Sequence, residues 1–166
     1  MTGAVYDLAN PGYDTTKDLG NLRVGVTSKT VAVTNAAVTS AAYQDKLAVA
    51  ATGASSLTLT NPADIAAGST RNLVVTAAKA GSLADTLTLT YGSKALAISG
   101  LADGANTTQS VTVSGAAYDL AQPSFNGTLA LNNIRVTTGT GTVAVTNALA
   151  AGGDANYQDK LDIAAT

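Results

Sequence analysis

The segment GAVYDLANPGY at residues 3–13 returns as GAAYDLAQPSF at residues 115–125. The correspondence continues down the chain, with NLRV (21–24) over NIRV (133–136), TVAVTNA (30–36) over TVAVTNA (142–148), and YQDKLAVAAT (43–52) over YQDKLDIAAT (157–166). Between the last two phrases the second copy carries AGGDAN where the first has TSAA, a two-residue gain that a loop tolerates. Self-similarity over this distance constrains the fold more than any local pattern, because the same phrases must build the same structure twice. The order is a front segment (3–52), a middle segment without a close copy (53–114), then the front segment again (115–166). A repeat unit of 112 residues follows from the displacement of Gly3 to Gly115, and the chain of 166 residues holds one and a half of them.

Within each segment the pattern is β. TVAVTN, KLAVAAT, SLTLTN, NLVVTAA, DTLTLTY, ALAIS and QSVTVSG alternate Val, Leu, Ile or Ala with Thr, Ser or charge, the period of a half-buried strand. Turn signals punctuate them: NP at 61, AAGS at 66, AGS at 80, YGS at 91, ADGAN at 102 and TGTGT at 138. Ala-rich pieces such as ADIAAG sustain one helical turn before Gly stops them. Short strands at this density predict an all-β, immunoglobulin-like sandwich. Its complete copy is expected over residues 19–115, preceded by an N-terminal strand or linker (1–18) and followed by a linker and the first half of a second unit (116–166).

Composition narrows the chemistry. The chain lacks His, Cys and Trp, and all eleven acidic residues are Asp. The usual general base, the thiol nucleophile and the main transition-metal ligands are therefore missing together, which excludes zinc sites and Ser–His or Cys–His catalysis and predicts that the protein is not an enzyme. A net charge of −2 spread along the chain argues against a nucleic-acid surface. No window is apolar over the eighteen or so residues that a membrane-spanning helix requires, and MTGAVYD has no signal-peptide pattern. Only 4% of the residues are aromatic, so the core must be aliphatic with a few Tyr.

The run DLGNLRVG, then KTVAVTN, then DIAAGSTRNLVVTAAKAGSLADTLTLT and finally SVTVSG resembles immunoglobulin-like domains of the ASH/MSP/PapD-like kind. More narrowly, it is similar to the tandem β-repeat modules of large bacterial surface proteins. The second copy departs at TTGTGT, where the first has VGVTSKT. The resemblance implies a structural role as a surface fibre, sheath, stalk or S-layer-like unit, extracellular or on the bacterial cell surface, with any secretion signal outside this chain. The alternative it implies is an adhesin that recognises carbohydrate or protein through its loops.

Candidate sites are few. Alternation along YQDKL puts Tyr43, Asp45 and Leu47 on one strand face and Gln44 and Lys46 on the other. A carboxylate on the core side needs a partner, and the repeat offers Arg23 for Asp45 and Arg135 for Asp159 as inter-strand ion pairs. A bulge or edge position that leaves these charges in water is the competing reading. The adjacent pairs Ser28–Lys29 and Ser93–Lys94 read as turn residues rather than a hydrolytic dyad, because neighbours on a strand face opposite ways. No cofactor is expected. Asp103 with Asn106, and Asp154 with Asn156, form oxygen-rich loops that offer a weak calcium site and read more simply as Asx turns. A Lys–Asn cross-link using Lys29 or Lys46 with Asn35 is a further option. Finally, two front segments share one middle segment. The spare half exposes strand edges, which predicts head-to-tail self-association in which strands of one molecule complete the next.

Overall fold

The computed structural model describes residues 3–130 and 141–164. Ten strands form in chain order: β1 Pro11–Tyr13, β2 Thr16–Arg23, β3 Ser28–Asn35, β4 Lys46–Thr52, β5 Leu57–Thr60, β6 Ser69–Ala77, β7 Gly81–Lys94, β8 Thr107–Tyr118, β9 Pro123–Phe125 and β10 Val145–Asn147. Two short 3-10 turns, Ala41–Tyr43 and Ala155–Tyr157, are the only helical pieces among the described residues.

The first eight strands make two four-stranded sheets in a sandwich-like arrangement, ordered β1-β3-β6-β5 and β2-β8-β7-β4. Every pairing is antiparallel except β2 with β8, which is parallel. Alternation does what the sequence promised except in ALAIS (95–99), which turns between β7 and β8 instead of extending as a strand. Val31 and Val33 of β3, Leu73 and Val75 of β6, Leu87, Leu89 and Tyr91 of β7, and Val111 and Val113 of β8 are buried in one core between the sheets. Their Thr neighbours on the same strands face outward or sit half-buried.

The chain crosses from the first sheet to the second between β1 and β2, so residues near the N-terminus contribute to both. The segment expected as a strand or linker over residues 1–18 thus includes a paired strand, with Pro11 opposite Asn35 and Tyr13 opposite Val33. At the other end β8 does not stop at residue 115: it stays paired through Ala117 with Leu22 and Tyr118 with Arg23. Gly115 makes this possible. Its φ is +150°, and a Cβ there would lie 2.4 Å from the backbone oxygen of Gly20, where β2 bulges between Asp18 and Asn21. Only a residue without a side chain fits that approach.

One expected turn is absent. YGS at residues 91–93 continues β7, a strand of 14 residues, instead of reversing it. A Cβ on Gly92 would press within 2.6 Å of the oxygen at the tip of the exposed Asn106 side chain, which would have to swing aside for a larger residue.

The second front segment forms a separate two-stranded sheet of β9 and β10. Its register repeats the first copy pair for pair: Pro123 lies opposite Asn147, Ser124 opposite Thr146 and Phe125 opposite Val145, where the first copy has Pro11–Asn35, Gly12–Thr34 and Tyr13–Val33.

Candidate functional site

The repeated phrases meet at a buried polar cluster. Strand β3 ends on Asn35, which is fully buried, and its amide uses all of its hydrogen-bonding capacity. The side-chain oxygen accepts from the Asn10 backbone N–H at 2.9 Å and from Gln44 Nε2 at 3.1 Å. Its Nδ2 donates to the carbonyls of Asp45 at 2.9 Å and Ile65 at 3.1 Å. Gln44, also buried, donates a second bond to the Ala36 carbonyl at 2.8 Å and accepts from the Val38 N–H at 3.0 Å. Four separate stretches of chain are thereby fastened at one end of the sandwich, and no polar atom of either amide is left over.

The turn at Ala41–Tyr43 sets this up. It takes Gln44 out of strand alternation, so that both Gln44 and Asp45 point inward, whereas strict alternation had placed Gln44 on the outer face. The N-terminal stretch docks alongside, with the Asp7 N–H donating to the Tyr43 carbonyl at 2.8 Å, the Asp45 N–H donating to the Asp7 carbonyl at 2.9 Å, and the Tyr6 ring edge-on to Tyr43.

The second copy rebuilds most of the cluster. Asn147 accepts from the Gln122 N–H at 2.8 Å and from Gln158 Nε2 at 3.1 Å, and donates to the Asp159 carbonyl at 2.9 Å. Gln158 donates to Ala148 at 2.7 Å. Asp119 bridges to Tyr157 and Asp159 as Asp7 does to Tyr43 and Asp45, and Tyr118 packs on Tyr157 at 5.7 Å. Since Tyr118 ends β8, the last strand of the sandwich runs directly into the polar cluster of the next segment.

The ion pair expected between Arg23 and Asp45 is not formed. Asp45 is buried, but its partner is the Ser93 hydroxyl, which donates to one carboxylate oxygen at 3.0 Å while accepting from the Ala9 N–H at 2.7 Å. Its other oxygen has no hydrogen-bond partner. Arg23 instead reaches across the junction to Asp159, Nε to Oδ2 at 2.9 Å, with its own side chain more than half exposed. The physical reason is placement: Arg23 ends β2 beside Tyr118, and the next residue, Asp119, holds Asp159 at that junction by accepting its backbone N–H at 2.8 Å. Arg135 lies outside the described residues. Ser93, read as a turn residue, is therefore the polar partner that sequence reasoning missed, along with Asn35 and Gln44. The signal for the two amides was present, since each recurs at a fixed place in TVAVTN and YQDKL.

The other candidates are structural. Asp154 caps the turn Ala155–Tyr157, accepting from the Asn156 N–H and side chain at 2.9 Å, an Asx turn. Asp103 accepts from the Ala95 N–H at 2.9 Å. Among the described residues no three metal-ligating side chains come together. Lys29 and Lys46 are exposed, and Asn35 is saturated by hydrogen bonds, which leaves no cross-linking geometry. Ser28 and Lys29 open β3, with Lys29 opposite Val75. Tyr91 is buried with its hydroxyl unpartnered, and burial, reinforced by the neighbouring Tyr13, pushes that phenol well above its ordinary pKa.

The remaining feature is an apolar groove on the second copy, lined by Pro123, Phe125, Val145, Leu161 and Ile163. Among the described residues no helix is long and apolar enough to cross a membrane. Comparison with known protein-family models, with curated proteins and with solved structures found no match.

Proposed function

We propose that this chain is a structural element, one and a half units of a tandem immunoglobulin-like repeat that serves in an extracellular or cell-surface bacterial assembly such as a fibre, sheath, stalk or S-layer-like lattice. The observation that supports the reading is the recurrence of one register and one Asn–Gln hydrogen-bond cluster in both front segments. A cluster that binds chain to chain, and a strand that passes from one unit into the next, suit a part that transmits position rather than one that turns over a substrate. The residue types agree: nothing in the chain supplies imidazole or thiol. Assembly in this reading runs through the incomplete second unit by strand complementation.

Immunogold labelling with an antibody against the complete unit tests the assignment. Regularly spaced label on the cell exterior is the expected result, and label confined to the cytosol removes the surface role.

A second reading, an adhesive module, rests on the loop between β7 and β8, where Ile98 and Leu101 stand 78% and 59% exposed. Aliphatic side chains without an aromatic platform favour a protein partner over a sugar.

A further inference from the structure

The molecule contains a template for what belongs in its own apolar groove. In the first copy, β3 is covered by β6, with Val33 opposite Arg71 and Val31 opposite Leu73. There β4 is covered by β7, with Leu47 opposite Ser93 and Val49 opposite Tyr91. Both covering strands come from the middle segment. Under that cover Val33, Leu47 and Val49 are at most 8% exposed.

The second copy keeps the same kind of side chain at each of these positions and has no cover. Val145 and Leu161 are half-buried, while Ile163 is 58% and Phe125 62% exposed. Among the described residues strand β10 is paired only with β9, with no partner along its other edge, and residues 160–164 form no strand, although their counterparts are β4. The polar cluster is short of one bond at the same place. Asn35 gives its second amide hydrogen to the carbonyl of Ile65, a middle-segment residue, and Asn147 has no such acceptor among the described residues. Asp45 receives the hydroxyl of Ser93, also from the middle segment, whereas among the described residues the Asp159 carboxylate holds only Arg23.

We infer that residues 115–130 and 141–164 carry an acceptor site for a polypeptide with the strand pattern of residues 53–114. This rests on the repeat reading given above. The donor lays a β6-like strand along β10 and a β7-like strand along residues 160–164. It places an Ile65-like carbonyl on Asn147 Nδ2 and a Ser93-like hydroxyl on the free oxygen of Asp159, while Arg23 keeps the other. Exchange among copies of this chain does not saturate the site. Each copy has two front segments and one middle segment, so swapping a middle segment moves the opening from one front to the other without closing it. The donor is therefore an additional middle segment of the same repeat.

The test compares the chain with a version extended after Thr166 by a second copy of residues 53–118, following amide hydrogen exchange. Protection at Val145 and Leu161 should rise by on the order of 100-fold or more, toward that of Val33 and Leu47. The double substitution Val145→Asp and Leu161→Asp in the extended chain should abolish the gain and leave the first unit unchanged. Should the extension stay unstructured in cis, the same segment is added as a separate peptide during refolding of the unextended chain. No gain in either arrangement overturns the inference. Concentration-dependent protection of the same residues in the unextended chain alone also overturns it, because a second copy would then be the occupant. Loss of the Asn147–Gln158 cluster in the unextended chain, seen in its side-chain amide resonances, would instead strike at the repeat reading itself.

Discussion

The two front segments are nearly the same sequence in two surroundings. In the first, TVAVTN lies inside one sheet and KLAVAAT along the edge of the other, and their Val and Leu side chains join the core between the sheets. In the second, the same phrases hold the register of β9 with β10 and the bonds of the Asn–Gln cluster while their apolar face stays open. Local structure and core burial therefore come from different sources. The turn, the amide cluster and the hairpin-like register are encoded within about fifty residues of front segment; the burial that stabilises them comes from the middle segment. Burying an aliphatic side chain of this size contributes roughly 1.5–3 kcal/mol, so the second copy forgoes several such contributions.

The contrast gives paired substitutions. The largest difference is expected at the amides. Asn35→Ala leaves Gln44 Nε2, the Asn10 N–H and two carbonyls short of a partner inside the sandwich, and should lower unfolding stability by about 3–5 kcal/mol. Asn147→Ala should leave the main unfolding transition within about 0.5 kcal/mol, since only local structure is lost. Denaturant unfolding of both variants measures this, and equal losses would mean that the two copies unfold as one body. Next comes the apolar pair. Val33→Ala should cost about 2 kcal/mol by loss of packing in a closed core, and Val145→Ala almost nothing.

Charge sharpens the comparison further. Asp45→Asn should cost about 1–2 kcal/mol through its bond with Ser93. Arg23→Ala should cost no more than about 1 kcal/mol, because the Arg23–Asp159 pair is largely solvated. A double-mutant cycle should find coupling between Arg23 and Asp159 and none between Arg23 and Asp45. The smallest effect is expected at Tyr91. Tyr91→Phe removes a buried hydroxyl that has no partner, so stability at neutral pH should stay level or rise by up to about 1 kcal/mol. The folded phenol holds its proton more tightly than the unfolded one. Stability is therefore unaffected below the ordinary value of 10.0 and falls as pH rises above it, and the variant should lose that part of the alkaline sensitivity. A pH series of thermal unfolding curves decides the point.

Much of this was legible in the residues, for stated reasons. Alternation in TVAVTN and DTLTLTY reports a face, and a face is what a sheet buries. The repeated phrases reported equivalent structure, which the matched registers display. Pairing across strands was less legible. Arg23 and Asp45 looked matched because both recur, but recurrence does not say which copy faces which, and β8 delivers Asp159 to Arg23 instead. Gln44 was placed outside because alternation cannot anticipate a 3-10 turn just upstream. Tyr91–Gly92–Ser93 looked like a reversal because Gly and Ser favour turns, yet here Gly92 continues the strand beside the Asn106 side chain and Ser93 bonds the carboxylate of Asp45.

The parallel pairing of β2 with β8 has a mechanical consequence. If such a unit is stretched between its neighbours, tension enters β2 from its N-terminal end and leaves β8 from its C-terminal end. Parallel neighbours pulled in these opposite senses slide along one another, so the ladder from Thr16–Thr112 to Arg23–Tyr118 is loaded in shear and its hydrogen bonds must yield together rather than peel one by one. The contact between Gly20 and Gly115 lies within that ladder, and the polar cluster begins where it ends. Tension would thus meet its stiffest element just before passing to the next unit.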